Sequence, residues 1–191
     1  MNKEILRFRE QMKATLDPPR FEHSLSVSFT CMALAMHCEA SLEKAEVAGI
    51  LHDCAKCYDD YKLIELCKDK GILLTEDELL APAVIHAKYG AWMAEHEFGI
   101  TDSEILSAIR WHTTGRANMA LLEKILYIAD YIEPRRDKAA NLDKVRKLAF
   151  ESLDETIYEI LASSLEYLNS KGKYIDNRSK EAYNYYSDYR K

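Results

Sequence analysis

The segment SLEKAEVAGILHDCAKC, residues 41–57, decides how the chain is read. Ser41 can accept a hydrogen bond from the first turn of a helix, so a helix is expected from there to Asp53. That helix ends on an imidazole and a carboxylate directly after the apolar run Gly49-Ile50-Leu51. Such groups on an inward helical face are costly unless they are paired or bound to a metal. Cys54 and Cys57 make a C-x-x-C spacing, which elsewhere marks redox or zinc chemistry. No second cysteine pair completes a zinc knuckle and no strand precedes the motif. With Cys31, Cys38 and Cys67, these residues read as plain thiols of a reducing cytoplasm.

Outward from this segment, helix signals dominate and no alternating Val/Ile/Thr run suggests a sheet. Helices are expected over Asn2 to Leu16, stopped by Asp17-Pro18-Pro19, and over Arg20 to Glu39, with Leu25, Phe29, Met32 and Met36 as its apolar stripe. A short helix follows over Asp60 to Lys70, closed by Gly71. Thr75-Glu76-Asp77-Glu78 is a capping box, and Pro82 then fits the first turn of a helix to Phe98. A second capping box, Thr101-Asp102-Ser103-Glu104, opens a helix to His112, and another runs from Asn118 to Glu133. The longest is expected from Asn141 to Lys171, burying Val145, Leu148, Leu153, Ile157, Ile160, Leu161, Leu165 and Leu168. An aromatic-rich helix, Ser179 to Tyr189, closes a single all-α, bundle-like domain of about eight or nine helices spanning 1–191.

The 191 residues suit one domain with a real core, and 48% hydrophobic with 30% charged residues reads as globular. The formal net charge of −6 offers no general attraction for nucleic acid or an anionic membrane, so neither is an expected partner. No apolar run approaches the roughly 20 residues of a membrane span. An anionic substrate would need a local basic pocket or a metal.

His23, His52-Asp53, His86, His112 and Asp130 lie on successive helices, each among apolar neighbours. Taken singly, each histidine reads more readily as a hydrogen-bonded core residue, and Asp130 as an ion-pair member. Taken together, the order is far less expected by chance, and helical bundles converge such side chains on an interior point. Imidazole and carboxylate donors together suit iron, zinc or manganese. His37 and His96 sit in polar surroundings and read as surface residues.

The set His23, His52-Asp53 and Asp130 resembles the ligand set of the HD-domain metal-dependent phosphohydrolases. The stretches RFEH (20–23), HDCAK (52–56), HAKYGA (86–91), RWHTTG (110–115) and ADYIEPRR (129–136) resemble the YqeK-type members of that superfamily, the bacterial symmetrical diadenosine tetraphosphate hydrolases. The resemblance covers nearly the whole chain. It implies an HD-type helical fold, an iron-containing site of one or two divalent metals (with manganese, zinc or nickel as alternatives) and cleavage of diadenosine tetraphosphate to two ADP. It further implies His23, His52, Asp53 and Asp130 as principal metal ligands. His86 and His112 would complete a second metal position or act on phosphate. Arg20, Lys56, Thr113 and Arg136 would contact the nucleotide, with the segment Tyr174, Ile175 and Asp176. That segment departs from related chains, since Asn177 stands where a proline is expected.

The chemistry of the residues supports the same role. A metal neutralises phosphate charge and makes hydroxide available near neutral pH. Asp53 can use both oxygens to bridge two metals. Lys56 would lie one turn beyond His52 if the helix continues, and with Arg20 and Arg136 can stabilise developing charge. Asp53, Lys56, His86 and His112 are thus the expected catalytic set. Substrate bases are expected to stack on aromatics such as Tyr89, Tyr131, Tyr183, Tyr185 or Tyr186. Competing readings are a nucleotide phosphatase or phosphodiesterase, a non-catalytic nucleotide sensor and a di-iron oxygenase. The helix from Asn141 to Lys171 could pack internally or against a second copy, leaving a homodimer open.

Overall fold

The structure, a computed structural model, describes residues 3–188, and among them helix is the only regular secondary structure. The expected helix boundaries at Asn2 and Tyr189 lie outside the described residues. In order the helices are α1 (Lys3–Thr15), α2 (Pro18–His37), α3 (Leu42–Leu51), a 3-10 turn (Cys54–Cys57), α4 (Asp60–Asp69), α5 (Glu76–Leu80), a 3-10 turn (Pro82–Val84), α6 (Ile85–His96), α7 (Ser103–Trp111), α8 (Leu121–Ile132), α9 (Leu142–Leu148), α10 (Leu153–Ser170) and α11 (Asn177–Ser187). The all-α bundle is as expected, but eleven α-helices are described because two expected helices are each divided.

The divisions have local causes. The Thr75 capping box forms, yet it opens only the short α5, which ends at Ala81 in a non-helical conformation. Pro82 then begins a 3-10 turn, and α6 starts at Ile85. The long helix expected from Asn141 breaks at residues 149–152, where Ser152 adopts φ −152°, ψ 112° and accepts from the Glu155 amide. Ser152-Leu153-Asp154-Glu155 carries an S-x-x-E start signal that outweighs the apolar periodicity running through it. The resulting α10 packs inside the molecule, against α8 and α11. At α7 the cap is Asp102 rather than Thr101, accepting from the Glu104 and Ile105 amides.

Helix α2 starts where Asp17 accepts from the Arg20 amide, with the two prolines in the first turn. Its buried face is Ser24, Val27, Ser28, Cys31, Leu34 and Ala35. The expected stripe faces outward instead: Phe29 and Met36 are exposed and Leu25 and Met32 half-buried. Small residues win the interior because α3 lies against α2 at backbone distance. A Cβ on Gly49 would stand 2.5 Å from the Ser28 Cα, and the Ser28 hydroxyl donates to the Glu46 carbonyl at 3.0 Å. This close crossing brings the C-terminal end of α3 to the middle of α2. Ile50, Leu51, Ile109, Ile125 and Leu126 fill the core beneath it.

Gly49→Ala gains up to about 1 kcal/mol of helix propensity but forces a backbone apart, a strain of about 1–3 kcal/mol. We expect a net loss of stability in urea unfolding; a variant more stable than the native chain would contradict the close packing.

Candidate metal centre

The pair His52-Asp53 sits where α3 ends. His52 is the C-cap, and Asp53, at φ −104° and ψ 19°, leaves the helix for the 3-10 turn. Adjacent residues of a continuous helix do not face each other. The break lets them meet, with His52 Nε2 3.5 Å from Asp53 Oδ2. It also corrects the expected place of Lys56, which is not one helical turn past His52. The 3-10 turn, closed by the Lys56 amide donating to the Asp53 carbonyl at 2.9 Å, holds it beside Asp53. Burial lowers the Lys56 pKa, with Asp53 opposing and Arg20 adding to the shift.

Three imidazoles are held in one way. The Nδ1 atoms of His52, His86 and His112 lie 2.8, 2.6 and 2.8 Å from the carbonyls of Gly49, Ala83 and Ile109, each three residues earlier. A carbonyl only accepts, so each Nδ1 carries the proton and each Nε2 a lone pair. Burial pushes His52 down to about 4 and His86 down to about 3, against the pull of Asp53, so both stay neutral at ordinary pH.

These lone pairs converge on two carboxylates. Asp53 Oδ1 lies 3.4 Å from His86 Nε2 and 3.6 Å from His112 Nε2. Its Oδ2 lies 4.0 Å from His23 Nε2 and 2.8 Å from Arg20 Nη1. Asp130 Oδ1 lies 3.0 Å from His23 Nε2 and 3.9 Å from His52 Nε2. The Nε2 atoms of His86 and His112 face each other at 3.1 Å, with Thr113 Oγ1 3.1 Å from both. One hydroxyl proton can satisfy only one of them. His52 Nε2 is fully buried without a hydrogen-bond partner. An interior of facing acceptors is repulsive until a cation enters, so the donor set fits a metal. Two groups have their ligand atoms within 4.8 Å of one another: His23, His52 and Asp130, and His52, Asp53 and His112.

The charges around the site agree. Burial favours the acid form of Asp53, but in the acid range where it would titrate the imidazoles of His52, His112 and His86 are themselves protonated and hold it well below the usual carboxylate range. Asp130 is likewise lowered against burial, chiefly by His23, His52 and Arg136. His23 behaves differently: burial alone would lower its pKa, and Asp130, Asp53 and Glu133 together raise it. Beside it a cleft of about 250 Å³ is lined by Asp17, Pro19, Arg20, His23, Glu133 and Arg136. Arg136 reaches Asp130 Oδ1 at 3.0 Å, so two guanidiniums edge the opening.

Of the residues expected at the site, His23, His52, Asp53, His86, His112, Asp130, Arg20, Lys56, Thr113 and Arg136 gather here. The segment 174–176 lies on the His112 side, where Asp176 faces Arg110, and makes its own hydrogen bonds with α5 and α11. The Tyr174 hydroxyl donates to Asp77, which Asn177 also holds at 2.9 Å. Asp176 caps α11, accepting from the Arg178 amide at 2.8 Å, and Ile175 lines a groove with Leu165 and Tyr183. The expected stacking aromatics are taken up in packing. Tyr89 and Tyr186 are buried, Tyr183 stacks on Tyr158, and the Tyr131 and Tyr185 hydroxyls bind Asn141 and Asn118. All five cysteines are free, and His37 and His96 are exposed.

The sequence reading missed two charged partners. Glu133 Oε1 lies 3.2 Å from His23 Nδ1. Glu78, buried, accepts from Lys88 at 2.6 Å and Arg110 at 2.8 Å, tying α5 to α6 and α7 next to His112. Glu78 was legible only as a capping-box residue, and Glu133 only as the residue before a helix-stopping proline.

A helical domain with a buried His, His-Asp and Asp set defines the HD class, and the HD domain family matches residues 20–135. The chain belongs to the HD-domain family. Within it, the chain is 38% identical to a symmetrical bis(5'-nucleosyl)-tetraphosphatase of Staphylococcus aureus, over 96% of this chain and 94% of the relative. It is 40% identical to the enzyme of the same name from Halalkalibacterium halodurans, over 91% of each. A crystal structure from Clostridium acetobutylicum, described as a predicted HD superfamily hydrolase involved in NAD metabolism, superposes with a TM-score of 0.92 at 37% identity, covering 97% of both chains.

A divalent metal at 100 times its dissociation constant stabilises a fold by about 2.7 kcal/mol, which for a chain of this size is a Tm shift of roughly 5–10 °C. Chelation should lower the midpoint by that amount and metal should restore it. A melting curve indifferent to both would count against the centre.

Proposed function

We propose that the chain hydrolyses dinucleoside tetraphosphates symmetrically, converting diadenosine tetraphosphate and water to two ADP. His23, His52, Asp53 and Asp130 hold the principal metal, and His86 and His112 complete a second position or bind phosphate. The observation that carries this is the 38–40% identity to symmetrical tetraphosphatases over more than nine-tenths of the chain, and the converging Nε2 lone pairs give it a chemical basis.

When bound, a divalent metal supplies Lewis-acid charge neutralisation and an acidified water. The chain's own residues do the rest. Arg20 and Arg136, each anchored on a site carboxylate, present guanidinium edges to the cleft and can take phosphate oxygens. Lys56, half-buried beside Asp53, adds a cation where negative charge grows. Thr113 Oγ1 can turn its proton from an imidazole to a phosphate oxygen. Oxygen from water forms a bond to one of the two central phosphorus atoms as the bridging P–O bond breaks. One ADP leaves, the other keeps the new oxygen, and the surplus proton passes to solvent.

The mixed imidazole and carboxylate donors suit iron, manganese, zinc and nickel alike, and iron is the metal that the family resemblance implies. The five free thiols favour a reducing cytoplasm. A homodimer remains part of this reading, and sedimentation would test it.

Chromatography of the products from a nucleotide panel checks the reaction. Two ADP are expected; ATP plus AMP, or release of orthophosphate from mononucleotides alone, would overturn the assignment. Asp53→Ala should lower turnover by about 100-fold or more, the scale of removing one electrostatic group from a transition state. Arg136→Ala removes a charge-assisted hydrogen bond of about 1.5–3 kcal/mol. A fall of roughly tenfold or more in kcat/KM is therefore expected, and an unchanged value would remove Arg136 from the substrate.

A further inference from the structure

His52, His86 and His112 are oriented by main-chain carbonyls at helix ends. His23 lies in the interior of α2, where the carbonyls of the preceding turn are engaged in the helix ladder. Its Nδ1 faces a side chain instead, Glu133 Oε1 at 3.2 Å. Glu133 is itself fixed. It is almost wholly buried at the C-cap of α8, and its Oε2 accepts from the Arg135 amide at 2.7 Å. Its carbonyl accepts from Arg146 Nη2 at 2.9 Å.

His23 thus stands between two carboxylates, since Asp130 Oδ1 lies 3.0 Å from Nε2 on the opposite edge of the ring. A neutral imidazole has one proton for these two acceptors. With the proton on Nε2, His23 offers nothing to a metal; Asp130 Oδ1 lies close to that atom, but Nε2 is buried without a hydrogen-bond partner. With the proton on Nδ1, it donates to Glu133 and turns its lone pair toward Asp130, Asp53 and His52. Without Glu133, Nδ1 loses its hydrogen-bond partner, and the negative charge of Asp130 beside Nε2 is left to draw the proton to that side.

Resting on the reading of His23 as a metal ligand, we propose that Glu133 is a positioning residue that selects the ligating tautomer of His23. Its negative charge behind the ring also strengthens Nε2 as a donor. His23 is the one imidazole of the four whose Nδ1 is held by a side chain rather than a main-chain carbonyl, so substitution of Glu133 can weaken the centre without touching a ligand. Partners of this kind are worth about 10–100-fold in metal affinity.

The test uses Glu133→Ala and the isosteric Glu133→Gln in the full chain, stripped of metal. The His23 tautomer is read from imidazole 15N shifts at pH 9, and manganese affinity from calorimetry. The native chain should show His23 protonated at Nδ1. In Glu133→Ala, Nε2–H should become the major form and manganese affinity should fall 10–100-fold, whereas Glu133→Gln, whose amide oxygen can still accept from Nδ1, should stay closer to the native chain in both readouts. For Glu133→Ala, a lower affinity with the tautomer unchanged would mean a merely structural role and overturn the proposal. An altered tautomer with native affinity would overturn it too, as would no change in either. His23→Ala separates the underlying reading: if that variant binds manganese as the native chain does, His23 is not a ligand.

Discussion

Everything at the centre of this molecule answers to one electrostatic constraint. Four imidazole edges and two carboxylates are drawn into a buried volume where acceptor faces acceptor. Asp53 is the pivot: Oδ1 meets His86 and His112, while Oδ2 meets His52, His23 and Arg20. Such an arrangement is repulsive in an interior of low polarity unless positive charge is supplied. Arg20 and Arg136 supply some from the rim, and the metal required by the HD class supplies the rest.

The scaffold meets that constraint by ending helices at the right places. His52 and His112 are C-caps of α3 and α7, and His86 lies in the first turn of α6. In each case the turn leading into the histidine leaves a carbonyl to orient the ring. The same ends free the side chains from helical geometry, so that His52 and Asp53 can share one centre. The close passage of α3 over α2 at Gly49 and Ser28 then brings this cluster to His23. Packing with small residues is what makes the short distance affordable in steric terms, and it is why the bulky stripe of α2 faces outward.

Around the ligands lies a layer of ion pairs and charged hydrogen bonds. Arg146 donates to the carbonyls of Ile132, Glu133 and Arg136 and so holds the loop that carries Arg136 past Asp130. On the far side, Glu78 joins Lys88 and Arg110, while Arg110 and Arg178 lie over the faces of Trp111 at 4.5 and 4.8 Å. The C-terminal segment reaches the His112 loop through Ser179, whose hydroxyl donates to the Thr114 carbonyl at 3.1 Å. Tyr174 bonds Asp77 and Asp176 caps α11, which ties this segment to α5 and α11.

The sequence by itself determined the helical class, most helix starts and the six residues that converge. Caps, prolines and apolar period are local signals, and histidines among apolar neighbours are conspicuous because their burial is costly. Ser152 shows where that legibility ends, since a start signal inside an apolar periodicity can be weighed only once packing is known. Which face of α2 turns inward, which atom of each imidazole is free, and that Glu133 stands behind His23 were decided by tertiary structure alone. Those facts depend on the approach of segments up to 110 residues apart. A distance between segments so remote is set by how the helices pack, and no local pattern of residue types records it.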